Sequence, residues 1–188
     1  GISLNTVAIN NTIIAANKAG GGIVHIPAGL WLTGPIVLLD NVALNTAKGA
    51  LVIFTKDRSQ YPLKAASFEG VEAARCQSPI TATNAVNIAI TGQGIFNGGG
   101  EAWRPLKKGK VTDSEWKRLN NTGGVLSEDK TNWYPSAGAL QGSLTNNIGK
   151  LVGGATLSSF EPIRDFLRPN MIRVTNCSNV LLEGITFE

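Results

Sequence analysis

Arg168, Lys107, Lys108, Trp133 and Tyr134 are the side chains here whose types and neighbours suit recognition chemistry. Arg168 precedes Pro169, whose ring biases the preceding residue toward an extended backbone, and its planar guanidinium can grip a carboxylate through two parallel hydrogen bonds. Pairing with a nearby acid such as Asp165 is the alternative. Lys107, Lys108 and Lys110 attract anions, but residues 101–130 carry seven positive and five negative side chains. A solvated loop face therefore stands beside the binding reading. Trp133 and Tyr134 offer faces on which ring C–H groups stack; the alternative is that they, with Trp103 and Trp116, anchor a long loop. Catalytic machinery is harder to find. The thirteen Asp and Glu residues include no Asp-Asp pair, and the single histidine, His25, alternates with Val24 and Ile26 as a structural or surface residue would. Cys76 and Cys177 stand about a hundred residues apart in no metal-like spacing, which reads as two free thiols. No catalytic residue, metal site or cofactor is expected within these residues.

Those side chains need elements to position them. The chain has 188 residues, 43% hydrophobic and 16% charged, enough for one folded domain and too apolar for a disordered one. Its 22 glycines punctuate short runs rich in Val, Ile, Leu and Thr, as many short strands joined by tight turns would. A helix is expected over 6–19, capped by Asn5 or Thr6, with Ile9, Ile13 and Ala16 on one face. Strand-like coils follow over 22–98. Residues 99–168 differ in composition and read as an ordered insertion with short helices near 113–119 and 160–167, from the boxes Thr112/Glu115 and Ser158/Glu161. A further coil occupies 169–188. No apolar run is long enough for a membrane span. The net charge of +4 tilts toward a polyanionic partner, and without a basic stripe interleaved with aromatics nucleic acid is not expected.

One phrase recurs. NAVNIAITG at 84–92 is repeated as NCSNVLLEG at 176–184, and NVAL at 41–44 resembles NIAI at 87–90. The spacings of 46 and 92 are two and four times 23, within the range of stacked-repeat architectures, and predict coils of about 23 residues. An asparagine at each corner can bond neighbouring backbone or the asparagine above it, forming a ladder, while aliphatic residues beyond it stack inside. The expected fold is all-β: a right-handed parallel β-helix (solenoid), with an N-terminal capping helix over its otherwise open first coil and a long inserted excursion.

The ordered phrases NTVAINNTIIAANKAGGGIVHIPAG, LWLTGPIVL, NVALNTAKGALVIF, NIAITGQGIFNGGG and RPNMIRVTNCSNVLLEGITF resemble the polygalacturonase (pectinase) branch of glycoside hydrolase family 28, across 1–103 and 168–188. Where that family often has DGxG, this chain has Asn97-Gly98-Gly99-Gly100, a position expected to be structural. The resemblance implies inverting hydrolysis of α-linked galacturonic-acid-type bonds, with an acidic polysaccharide (pectin, polygalacturonate or rhamnogalacturonan) as partner. It also implies a secreted or periplasmic location, because that substrate is extracellular. The family's carboxylates come from an NxD phrase and a DD pair, helped by GHG and RxK phrases, and none of the four occurs here. The chain is therefore expected to be an N-terminal part whose catalytic coils lie beyond Glu188. Alone it should be inactive, and aggregation-prone unless joined by the C-terminal remainder. It begins at Gly1 without a Met, as a processed or trimmed chain would. In this light Arg168, Lys107, Lys108, Trp133 and Tyr134 become candidate substrate-binding residues, and the insertion could block one end of a cleft and impose end-on attack. A noncatalytic β-helix module for polysaccharide binding or adhesion is the reading from another class; a calcium-dependent lyase would need clustered carboxylates, which are missing.

Overall fold

The structure, a computed structural model, describes residues 3–145 and 149–188. The chain divides into two compact units. The first comprises Gly1–Tyr61, Gln77–Gly99 and Asn170–Glu188, the second Pro62–Cys76 and Gly100–Pro169.

The first unit opens with α1 (Thr6–Lys18), whose Ile9 and Ile13 are buried in the core. The sequence NTVAINNTIIAANK looks too rich in asparagine for a comfortable helix, and the structure shows why. Asn5 holds the N-cap position, yet its amide donates to the Leu32 carbonyl instead of capping. Asn10 donates to the Pro35 carbonyl and accepts from the Val37 N–H, and Asn17 donates to the Asp40 carbonyl. The polar face thus stitches the helix to the first coil and satisfies backbone groups that would otherwise be orphaned.

The coils follow as β1 (Gly22–Ile26), β2 (Gly29–Thr33), β3 (Ile36–Val37), β4 (Val42–Thr46) and β5 (Ala50–Phe54). After the second unit's first segment, with β6 (Leu63–Phe68) and β7 (Val71–Cys76), come β8 (Ile80–Thr83), β9 (Val86–Gly92) and β10 (Ile95–Asn97). The second unit's other segment holds β11 (Leu106–Lys107), β12 (Val125–Leu126) and β13 (Asn132–Tyr134). The final coil contains β14 (Ile172–Thr175), β15 (Ser178–Glu183) and β16 (Thr186–Phe187). Three parallel sheets run β1-β4-β9-β15, β2-β5-β10-β16 and β3-β8-β14, each in chain order. This is the expected parallel β-helix. Inward rows cross the coils: Val24–Leu44–Ile90–Leu182 in the first sheet and Ile36–Ile80–Ile172 in the third. In the second sheet Phe96 stacks on Phe54 and on Phe187, with ring centroids 6.5 and 5.5 Å apart.

The spacings of 46 and 92 are register offsets, since Leu44 pairs with Ile90 and Ile88 with Val180. The reading of them as two and four coils of 23 residues is corrected: each is a single step between neighbouring strands. β1 and β2 precede their partners by only 20 and 21 residues. The later steps are long because both segments of the second unit leave at one corner, between the second and third sheets. That corner takes two residues, Gly34 and Pro35, in the first coil. Removing the 70 residues of 100–169 from 92 leaves 22, one ordinary turn. An excursion that leaves and re-enters at one corner does not disturb the register of the strands around it.

The asparagine ladder is present. Asn41, Asn87 and Asn179 have φ of 60°, 57° and 54°, a left-handed backbone that asparagine tolerates better than most residues. Asn179 Nδ2 donates to Asn87 Oδ1 at 2.8 Å, and Asn87 Nδ2 donates to Asn41 Oδ1 at 3.0 Å. At the far end of the stack, Val180 and Leu182 continue the inward rows but are 41% and 48% exposed.

In the second unit, β6 and β7 form an antiparallel hairpin turned by Glu69 and Gly70, both at positive φ, as a two-residue hairpin turn demands. Residues 62–76 are thus not coil, although they fall inside the span 22–98. Helix α2 (Asp113–Asn120) begins with the expected Thr112/Glu115 capping box and buries Trp116; α3 (Ala137–Ser143) is capped by Ser136. The expected box at Ser158/Glu161 does not form. A 3₁₀ segment over Leu157–Phe166 starts two residues earlier, where the Thr156 N–H donates to Ser159 Oγ. Pro162 lies inside it with a kink at Ile163, because proline has no N–H to continue an α-helix.

Candidate functional site

The side chains singled out for recognition all belong to the second unit. Strands β11, β13 and β12 form a small antiparallel sheet, with Lys107 opposite Asn132 and Leu106 opposite Trp133. Directly opposed residues share a face and neighbours along a strand alternate, so Lys107, Asn132 and Tyr134 are on one side and Trp133 is on the other. The backbone then turns through a 3₁₀ helix over Lys108–Lys110. At three residues per turn Lys110 falls in line with Lys107, while Lys108 is a third of a turn away. The result is an open groove of about 320 Å³ lined by Lys107, Gly109, Lys110, Thr131 and Asn132. Lys108 does not line it.

Asp129 organises one wall. Its carboxylate accepts from Ser127 Oγ, the Thr131 N–H and Thr131 Oγ1, and these bonds pull its pKa down to about 2. Asn132 Nδ2 in turn donates to Thr131 Oγ1 at 3.0 Å. Trp133 is committed elsewhere: its Nε1 donates to the Gly123 carbonyl at 2.9 Å and its ring lies against Gly124. Tyr134 is half-buried. Trp103 and Trp116 are buried and serve as packing anchors.

Arg168 follows the buried Leu167, and its N–H donates to the Phe166 carbonyl. Its side chain is exposed and enters no ion pair among the described residues. The suggested Asp165 partner instead has Arg164 Nε at 3.8 Å, and Glu161 also approaches Arg164 at 3.8 Å. The Arg164 carbonyl accepts from Cys76 Sγ. Burial pushes the Cys76 thiol up to about 12. Native chain is accordingly expected to leave Cys76 unalkylated by iodoacetamide at pH 8, with labelling appearing only in denaturant; mass mapping of Cys76 after a short native pulse checks this.

His25 is exposed on the outer face of the first sheet. Its Nδ1 is 2.9 Å from Asn45 Oδ1, and Asn45 Nδ2 donates to Thr91 Oγ1, a row of outward polar side chains in register. Among the described residues no three His, Cys, Asp or Glu side chains cluster as metal ligands would. The Asn97-Gly98-Gly99 turn is structural: Asn97 Oδ1 accepts from the Gly99 N–H, and Asn97 Nδ2 donates to Glu188. Thr131 and Asn132 were not singled out by the sequence. Their only local signal is the run Asp129-Lys130-Thr131-Asn132, which says nothing about the lysines it faces.

No protein-family model matches the chain. A probable polygalacturonase of Vitis vinifera is 33% identical over 121 residues, covering 59% of this chain and 25% of the relative. An exo-poly-α-D-galacturonosidase of Dickeya chrysanthemi is 32% identical over 108 residues, covering 53% and 18%. The chain therefore spans a quarter or less of the length of these curated relatives. The crystal structure of an exopolygalacturonase from Thermotoga maritima superposes with a TM-score of 0.64 at 27% identity, over 99% of this chain and 38% of that one. The family 28 exopolygalacturonase of Yersinia enterocolitica gives a TM-score of 0.60 at 21% identity, over 99% and 32%. Strand order, stacked asparagine corners and these matches agree, and the chain is in sequence and in fold similar to the polygalacturonases of glycoside hydrolase family 28.

Proposed function

We propose that this chain forms the first coils of a hydrolase that cleaves α-linked galacturonic-acid-type bonds in pectic polysaccharide by the inverting route. The observation that carries it is the in-register β-helix whose sequence matches polygalacturonases over more than half the chain. Inversion requires a carboxylic acid to protonate the leaving oxygen and a carboxylate to activate water, about 6.5–9.5 Å apart. These 188 residues hold no NxD, DD, GHG or RxK phrase, so the chain alone is proposed to be inactive, with the acid pair on coils stacked after β15. Further coils of the same protein would also cover Val180 and Leu182. Exo attack is the favoured mode, since the Dickeya relative and the Thermotoga and Yersinia structures are exo-enzymes by name. The exposed, unpaired Arg168 is the candidate clamp for a substrate carboxylate. Lys107, Lys108 and the half-buried Trp133 and Tyr134 are candidates for subsites. A secreted or periplasmic location follows from an extracellular substrate; no helix among the described residues is long and apolar enough to cross a membrane.

The test compares, on polygalacturonate and rhamnogalacturonan, these 188 residues with the product of the whole gene. The whole product is expected to release reducing ends, with monogalacturonate first, and the 188 residues none above a heat-killed control. Activity in the 188 residues would overturn their proposed inactivity. An inert whole product would overturn the hydrolase reading and favour a noncatalytic polysaccharide-binding or adhesion module, to which the missing carboxylate pair is the one pointer.

A further inference from the structure

We propose that the groove between Lys107, Lys110, Thr131 and Asn132 is a binding site for an acidic oligosaccharide, with the two ammonium groups taking uronate carboxylates. This rests on the pectic reading above for the choice of sugar, but not for the existence of the site. Three observations support it. Lys107 and Lys110 line a common groove at i, i+3 spacing and enter no ion pair among the described residues, so their charge is not neutralised within the protein. No acidic side chain lines the groove, and the nearest acid in sequence, Asp129, turns its carboxylate to Ser127 and Thr131. The polar wall is held in place before any ligand arrives. The Lys108 N–H donates to the Thr131 carbonyl at 2.8 Å, β11 and β13 pair at Lys107 and Asn132, and Thr131 is held by Asp129. A preordered wall lowers the entropy lost on binding.

The chemistry favours a charged sugar over a simple anion. At about 320 Å³ the groove is at the small end of ligand sites, room for one or two sugar rings. The Asn132 amide and Thr131 hydroxyl are directional groups suited to ring hydroxyls. Lysine, a flexible point charge, tolerates several carboxylate placements where arginine would demand one.

The experiment is a titration of the 188-residue chain, isotopically labelled, with tetragalacturonate, with its fully methyl-esterified form, and with sulfate. Tetragalacturonate is expected to shift the amide resonances of Gly109, Lys110, Thr131 and Asn132, more weakly at high salt because exposed charges are screened. The methyl ester should leave them unmoved. K107Q/K110Q should weaken binding roughly five- to tenfold, as two exposed charge contacts would, while K117Q/R118Q on α2 should not. Equal binding of the methyl ester, displacement by equimolar sulfate, or an unchanged K107Q/K110Q affinity would each overturn the proposal. Since the readout is binding and not cleavage, an inert whole-gene product would sink the hydrolase reading without touching this one.

Discussion

Gly92→Ala is expected to cost roughly 4 kcal/mol or more, placing it among the few single substitutions that can unfold a domain. Gly92 has φ of +106°, and a Cβ there would run into the Thr46 carbonyl of the coil above. That carbonyl cannot swing aside. It accepts from the Gln93 N–H at 3.0 Å, while Thr46 Oγ1 accepts from the Gly94 N–H at 3.1 Å and the side chain is buried. The added methyl must therefore push two coils apart, where parallel strands hydrogen-bond within a rigid spacing. Gly70→Ala is the control. It shares the positive φ, at +81°, but its Cβ would meet nothing within 4 Å, so only the backbone penalty of about 1–2 kcal/mol applies. Urea unfolding followed by tryptophan fluorescence separates the two. Equal losses would mean that coil spacing does not set the requirement for glycine.

Asn87→Ala is expected to lose about 2–4 kcal/mol. Asn87 is the middle rung, donating to Asn41 and accepting from Asn179, at φ of +57°. Alanine removes both hydrogen bonds, leaves two partner amides without them, and strains the left-handed backbone. Asn87→Gly removes the same bonds but relieves the strain, so it should lose only about 1–2 kcal/mol. Alanine worse than glycine, and both worse than asparagine, is the expected order of urea midpoints. A glycine variant as stable as the parent would show that the ladder adds nothing beyond its backbone geometry.

These two corners also show how much could be read in advance. The asparagine ladder was legible because a residue that tolerates positive φ and bonds through its side chain carries its conformation in its own chemistry. The same holds for the Thr112/Glu115 box and for the apolar face of α1 at Ile9 and Ile13. The 3₁₀ start at Thr156 was missed because Ser158/Glu161 fits the same short pattern, and Pro162 decided between them. Arg168 could not be assigned from spacing: Asp165 is near it in sequence, but Arg164 is the cation beside that carboxylate.

By itself the amino-acid order determined the kind of fold: short aliphatic runs, asparagine and glycine at recurring offsets, and one helix, each a local preference of a few residues. Which strand neighbours which was decided only in three dimensions. Offsets of 46 and 92 proved to be single coil steps, lengthened where the chain leaves one corner and comes back in register. The groove is a product of that same level. Lys107 and Lys110 meet Thr131 and Asn132, more than twenty residues away, only because an antiparallel pairing lays β11 beside β13. Pairing of this kind depends on contacts summed over many residues, and no short stretch of sequence encodes it.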